Sequence, residues 1–118
     1  MAIETNTPEV WVTGNETPAT MLVTIATGQT IAARTPIGQV AASGHYIAWL
    51  PGASDGSQVA VAITAFDVDT TSGGAAAKQV YKSGTFNPEL VAWPTATDLQ
   101  KALSFTRSPI SLQAPRLI

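Results

Sequence analysis

Tyr81-Lys82-Ser83-Gly84-Thr85-Phe86, followed seven residues later by Trp93-Pro94, is the stretch of this sequence that decides the fold. Residues 79–85 predict a β-strand, and the aromatic residues at its flanks are separated by lysine, serine and glycine. No residue in the stretch is suited to catalysis. The pattern indicates a surface that fits another protein rather than one that transforms a small molecule.

The composition favours assembly with other protein chains. The 118 residues suffice for one domain with one modest core. Charged residues make up 12% of the sequence, about half of the fraction found in an ordinary soluble domain. A chain with so few charges either exposes many small neutral side chains or buries its surface against partners. Oligomerisation is therefore expected.

The charge and the cysteine count exclude several classes of protein. The net charge is −2 and the six basic residues are scattered, whereas nucleic-acid binders need clustered Lys and Arg. The absence of cysteine removes disulfides, thiolate metal sites and cysteine nucleophiles. The sequence begins without a secretory signal, and no apolar run approaches the ~18 residues of a membrane span. We expect a soluble protein made in the cytoplasm, with no membrane partner.

Residues 1–20 predict a flexible N-terminal arm, because they are polar, rich in threonine and interrupted by Pro8 and Pro18. The short island Val10-Trp11-Val12-Thr13 is β-prone and has two possible roles. In the first role, Trp11 folds back onto the body of the protein, since aromatic side chains bury well. Alternatively, it anchors the arm when a partner supplies a sheet edge or a pocket. The sequence leaves both possibilities open.

From residue 21 onward the chain predicts short β-strands separated by turns. The longest candidate is residues 58–66, where the face of Val59, Val61, Ile63 and Ala65 alternates with a second face that includes the small residues Ala60 and Ala62. Those small side chains would allow another subunit to approach closely. Residues 67–74 predict a polar loop. The other strand candidates are residues 21–25, 31–33, 37–40, 45–50, 79–85 and 110–112.

Helical signals occur late in the chain. Asn87-Pro88-Glu89 supplies an N-cap, a proline at the first helical position and an acid in the first turn, which predicts one or two turns ending at Ala92. Thr95 is then expected to cap a second helix that ends at about Leu103. An apolar stripe of Leu99, Ala102 and Leu103 would face the core. Residues 21–118 therefore predict a mainly β single domain with a small helical part.

Three motifs suggest chemistry, and each lacks the rest of its site. Gly52-Ala53-Ser54-Asp55-Gly56 matches the hydrolase pattern G-x-S-x-G, but a strand is predicted after it where that pattern requires a helix. His45 is the only histidine, so it cannot form a zinc site of the usual ligands. The calcium-loop start Asp67-Val68-Asp69 meets Lys78 where the last carboxylate ligand should stand. We therefore predict no enzyme, no metal, no cofactor and no small-molecule substrate.

Residues 34–94 resemble the lambda-type bacteriophage head decoration proteins, which sit on the outside of some phage capsids. The resemblance depends on an ordered series of motifs that ends with Trp93-Pro94. In order, these are Thr35-Pro36, Ile47-Ala48-Trp49, Ser54-Asp55-Gly56 before strand 58–66, the polar loop 67–74, Tyr81 to Phe86, and Val91-Ala92-Trp93-Pro94. The second helix and the closing strand fit the same pattern. Residues 1–33 match it less closely, and residues 113–118 continue beyond it.

The resemblance implies a β-clip type domain that assembles as a homotrimer. Such trimers dock on the outer surface of the expanded phage shell at threefold positions, bind its major capsid protein and clamp it against the pressure of the packaged DNA. The predicted shell-binding residues of the arm are Val10, Trp11, Val12 and Thr13. The predicted trimer or shell interface residues are Tyr81, Lys82, Ser83, Gly84, Thr85, Phe86 and Trp93. The alternative is a trimeric β module of a phage tail fibre or adhesin that binds a host surface glycan.

Overall fold

A computed structural model describes residues 10–14 and 17–114 of the chain. Residues 1–9, 15 and 16 of the predicted arm therefore lie outside the described residues, as do residues 115–118. A 3-10 helix spans Pro88–Leu90, and helix α1 spans Asp98–Leu103. The strands are β1 (Ala19–Ile25), β2 (Thr30–Ile31), β3 (Pro36–Gln39), β4 (Tyr46–Ala48), β5 (Ala62–Thr64), β6 (Val68–Asp69), β7 (Ala76–Phe86) and β8 (Ile110–Leu112).

Five strands close into a small barrel. Their order is β1-β4-β3-β5-β7, and β7 also pairs with β1 along the whole of β1, which closes the ring. β8 extends the sheet by pairing in parallel with the end of β7, while β2 and β6 form a separate antiparallel pair. The prediction of a mainly β domain with one small helix is confirmed.

Two apolar cores lie on opposite faces of the barrel wall. Successive strand residues point to opposite faces, so Ala62 of β5 joins one core and Ile63 joins the other. The first core fills the barrel with Val23, Ile25, Ile31, Ile37, Ala62, Val68 and Val80. The second core lies between the wall and the C-terminal part of the chain, with Trp49, Ala60, Ile63, Phe86, Phe105 and Ile110.

The prediction that residues 58–66 form the longest strand is wrong. β5 has three residues, and the longest strand is β7 with eleven. The turn around Gly56 continues as far as Val59, whose N–H donates to the Gly56 carbonyl at 3.2 Å. All three residues of β5 are buried because the strand lies between the two cores. Its alanine face is therefore packed inside this chain, and β6 occupies part of the predicted loop 67–74.

The helical predictions are confirmed in place and partly wrong in detail. Asn87 caps the 3-10 helix, with its side chain accepting from the N–H of Glu89 at 3.0 Å. The cap of α1 is Thr97 rather than Thr95, since Thr97 and Gln100 form a reciprocal capping box. Leu99 and Leu103 were predicted to face the core, yet 68% and 60% of their surfaces are exposed. The closing strand β8 is confirmed.

Candidate protein-binding surface

The N-terminal segment, defined here as residues 10–14, lies along the edge of β7 near its C-terminal end. The Thr13 N–H donates to the Thr85 carbonyl at 3.0 Å, and the Asn87 N–H donates to the Trp11 carbonyl at 2.8 Å. Val12 stands opposite Phe86 in the resulting antiparallel bridge. The Asn87 side-chain amide adds a bond to the Val10 carbonyl at 3.0 Å. The segment is therefore an added piece of sheet, bound mainly through its backbone.

Trp11 folds back onto the body, which is one of the two possibilities that the sequence leaves open. Its ring centroid lies 4.8 Å from that of Phe86 and 6.2 Å from that of Tyr81. The guanidinium carbon of Arg34 lies 4.9 Å from the same ring, within the range of a cation–π contact. The indole Nε1 is buried and has no hydrogen-bond partner among the residues that the structure describes. Leaving a buried donor unpaired costs about 1–3 kcal/mol, so the ring contacts hold Trp11 against that cost.

Within residues 10–14 and 17–114, no backbone group pairs with the outer edge of the N-terminal segment. In this type of antiparallel pair, the backbone groups of Trp11 and Thr13 point at β7, so those of Val12 point away from it. The side chains of Val10 and Val12 are both exposed. An exposed backbone edge with apolar side chains is what an added strand from a partner recognises.

The predicted interface stretch 81–86 is divided between core and surface. Phe86 is fully buried and Gly84 is buried, so both contribute to the packing of this chain. Gly84 has a φ of 136°, and a Cβ there would lie 3.0 Å from the Phe86 ring. Tyr81 is half-buried against the same ring at a centroid distance of 5.0 Å. Lys82 is exposed, and Ser83 and Thr85 are half-buried, so these three could reach a partner.

Trp93 is half-buried on the second core. Its indole Nε1 donates to the Pro88 carbonyl at 3.0 Å, and its ring meets Trp49 edge-on at 5.9 Å. The Lys101 ammonium lies 5.8 Å from the ring centroid. The exposed part of Trp93 is therefore held in a fixed orientation. Trp93 and Trp11 both pack against the second core.

The motifs that suggested chemistry are used for turns. Hydrogen bonds from the Ser57 hydroxyl and then the Ser57 N–H lower the pKa of Asp55 in the loop that contains Ser54. The Asp67 carboxylate accepts from the Ala33 N–H at 2.8 Å. Hydrogen bonds from the Thr71 hydroxyl and N–H lower the pKa of Asp69.

The described residues contain no cluster of three or more His, Cys, Asp or Glu side chains that could hold a metal ion. Within residues 10–14 and 17–114, no helix has the length and apolar character needed to cross a membrane. In the two motif loops, Asp55 and Asp69 accept hydrogen bonds within their own turns, whereas Asp67 accepts from Ala33, which is distant in the sequence.

Sequence reasoning missed a groove between α1 and the chain that leads into β5. Its volume is about 400 Å³. The floor is apolar and the rim carries a basic group. The residues that line it include Trp49, Val59, Ala60, Leu103, Phe105 and Arg107. The apolar spacing of Leu99 and Leu103 was the available signal, but it was interpreted as a core-facing stripe.

Comparison with known families gives one informative result. The family model described as "Bacteriophage lambda head decoration protein D" matches residues 4–111. No curated protein is significantly similar to the chain. The matched range includes the whole barrel, α1, the N-terminal segment and two of the three residues of β8.

Proposed function

Because the chain belongs to the bacteriophage lambda head decoration protein D family, we propose that its homotrimers bind the outer surface of the expanded phage shell at threefold positions and clamp it against DNA pressure. A capsid decoration role and a place in the virion follow from the family itself, which is structural and non-enzymatic. The observation that carries the proposal is the match over residues 4–111, nearly the full length of the chain. The major capsid protein is the proposed partner.

The N-terminal segment is the proposed shell contact. A strand of the shell protein adds to its outer edge and pairs with the backbone N–H and C=O of Val12, while the inner edge stays on β7. The exposed Val10 and Val12 side chains supply apolar contacts beside those bonds. Main-chain hydrogen bonds then provide affinity, and the side chains provide specificity. The contacts of Trp11 with Phe86 and Arg34 support this proposal because they fix the position of the strand that is presented.

Three copies in a closed ring strengthen a weak single contact. Once one N-terminal segment of a trimer is bound, the other two meet their sites at a high effective concentration, which raises the overall affinity by orders of magnitude. Threefold positions of a shell present three equivalent sites with matching symmetry. The low charge content of the chain, 12%, suits a protein that buries much of its surface in such an assembly.

The clamp works by linkage and requires no chemistry. A protein that binds the expanded lattice and not the compact precursor stabilises the expanded state by its differential affinity. At a free concentration one hundred times the dissociation constant, each occupied site contributes about 2.7 kcal/mol. Many sites on one shell add up to a large opposition to rupture by internal pressure.

The test uses a proline at Val12. Val12→Pro removes the N–H that points away from β7, so the bonds of Thr13 and Asn87 remain in place. Val12→Ala keeps the N–H and serves as the matched control. We expect co-sedimentation with expanded shells to weaken at least tenfold for Val12→Pro, which corresponds to about 1.4 kcal/mol, and to change little for Val12→Ala.

Two outcomes would contradict the proposal. Unchanged shell binding by a folded Val12→Pro variant would remove this edge from the contact. Equal binding of the natural chain to expanded and compact shells would remove the differential affinity on which the clamp depends. Circular dichroism spectra of both variants establish that each is folded before binding is measured.

A further inference from the structure

Phe66 forms an exposed apolar knob between β5 and β6. Its side chain is 64% exposed, whereas the other two phenylalanines of the chain, Phe86 and Phe105, are buried. Acidic residues stand on its C-terminal side, at Asp67 and Asp69. Both carboxylates accept hydrogen bonds, Asp69 from Thr71 within its own turn and Asp67 from Ala33, which is 34 residues away in the sequence. The knob is therefore an apolar ring on a well-defined turn with negative charge beside it.

The groove beside α1 has the complementary character. Val59 and Leu103 line it and are 52% and 60% exposed. The rings of Trp49 and Phe105 form buried parts of its lining. Arg107 lies at the same groove and is exposed. With a volume of about 400 Å³, the groove is large enough to accept an aromatic side chain.

Knob and groove lie at opposite ends of one stretch of backbone. Ala60 lines the groove, and the three residues of β5 lie between it and Phe66. β5 alone spans roughly 10 Å, and Phe66 is not among the residues that line the groove of its own copy. A knob on one copy therefore cannot fill the groove of the same copy. Two complementary patches that are separated on one surface are the requirement for head-to-tail contacts, which close into a ring when the rotation between copies permits.

We propose that Phe66 of each copy inserts into the α1 groove of the next copy, with Arg107 of that copy facing Asp67 and Asp69, to form the threefold contact. This inference rests on the homotrimer of the proposed function and names its contact. A second copy is the favoured occupant because one chain carries both halves of the contact, with opposite charge. The same contact would cover the apolar face of α1 at Leu103, which is 60% exposed in the described part of one copy.

Disulfide trapping tests the contact directly, since the natural chain contains no cysteine. The double variant Phe66→Cys with Leu103→Cys is oxidised and run on a denaturing, non-reducing gel. We expect covalent trimers and no longer species, because the ring closes with three bonds. Phe66→Cys with Val59→Cys probes the opposite wall of the groove. The geometric requirement is strict, because the two Cβ atoms must approach to about 3.5–4.5 Å.

Matched controls separate specific contact from random collision. Leu22 is 70% exposed on β1, so Leu22→Cys with Leu103→Cys presents two cysteines of similar accessibility. It should yield no trimer band. Phe66→Cys alone should stay uncrosslinked, whereas an equal mixture of the two single variants, Phe66→Cys and Leu103→Cys, should yield a covalent dimer. Dimers from Phe66→Cys alone, or a ladder longer than three, would overturn the head-to-tail ring.

Analytical ultracentrifugation of Phe66→Asp, with Leu22→Asp as the control of equal charge, gives a second readout. We expect Phe66→Asp to weaken trimer formation at least tenfold and Leu22→Asp to leave it unchanged. Phe66→Asp that remains as trimeric as the natural chain would overturn this contact and leave the proposed homotrimer intact. Phe66→Asp that is trimeric but fails to bind expanded shells would assign the knob to the shell instead. A natural chain that is monomeric would contradict the homotrimer itself.

Discussion

Trp11→Ala tests whether the N-terminal segment is part of the folded body. The change removes two ring contacts, with Phe86 and Tyr81, worth about 0.5–1.5 kcal/mol each. It also removes the cation–π contact with Arg34, worth about 0.5–1 kcal/mol at a partly exposed site. The loss is offset by about 1 kcal/mol, since the unpaired buried Nε1 disappears as well.

The expected net effect is a loss of about 2 kcal/mol in the free energy of unfolding. For a domain of this size, that lowers the Tm by about 8 °C. Trp11→Phe is the matched control, because it keeps most of the ring contacts and removes the orphaned N–H. We expect Trp11→Phe to unfold within about 1 kcal/mol of the natural chain.

Thermal unfolding followed by circular dichroism measures both variants. A Tm for Trp11→Ala within about 2 °C of the natural chain would refute the reasoning, because the ring would then contribute nothing to the folded body. Such a result would support the other possibility in the sequence, in which Trp11 becomes ordered only on a partner. A large loss for Trp11→Phe would show that the Nε1–H has a partner after all.

Two further changes test the turn that replaces the first half of the predicted long strand. In a urea titration, Gly56→Ala should lower the free energy of unfolding by more than about 2 kcal/mol, because φ is +110° and the new Cβ would lie 2.3 Å from the Gln39 carbonyl oxygen. The control Gly52→Ala should be nearly neutral in the same titration, because its new Cβ would meet nothing within 4 Å. Asp55→Asn should be less stable than the natural chain at pH 7. The hydrogen bonds from Ser57 lower the pKa of Asp55 in the folded state, so the carboxylate stabilises the fold above the unfolded pKa of about 3.9 and this stabilisation is lost as the pH falls through the lower folded pKa. The stabilities of the natural chain and of Asp55→Asn should therefore converge in acid. A constant difference in stability from pH 7 to pH 2 would contradict this assignment.

Local signals in the sequence predicted the parts of the fold that local physics decides. The side chain of Asn87 caps its helix whatever the rest of the chain does, and the β-prone run at residues 110–112 forms β8. Such local signals did not predict how much of residues 58–66 forms a strand. Period-two alternation shows that a stretch can be a strand, but the length of β5 is set by its partners β3 and β7.

The candidate site could be predicted in part. The motif series in residues 34–94 indicated the family, and the family match extends over residues 4–111. The position of Trp11 depends on Phe86 and Arg34, which are distant in sequence, so the sequence could only state the alternatives. The outward face of α1 was misjudged for a related reason. The spacing of apolar residues cannot distinguish a helix face that packs against the core of its own chain from a face that is left exposed on that chain.

Resistance of DNA-filled particles to rupture tests the central claim most directly. Particles that lack this protein are compared with the same particles after the purified protein has been added back, and DNA release is followed as the temperature rises. We expect the added protein to raise the temperature of release, and the Val12→Pro variant to leave it low. Equal release temperatures with and without the natural protein would contradict the account.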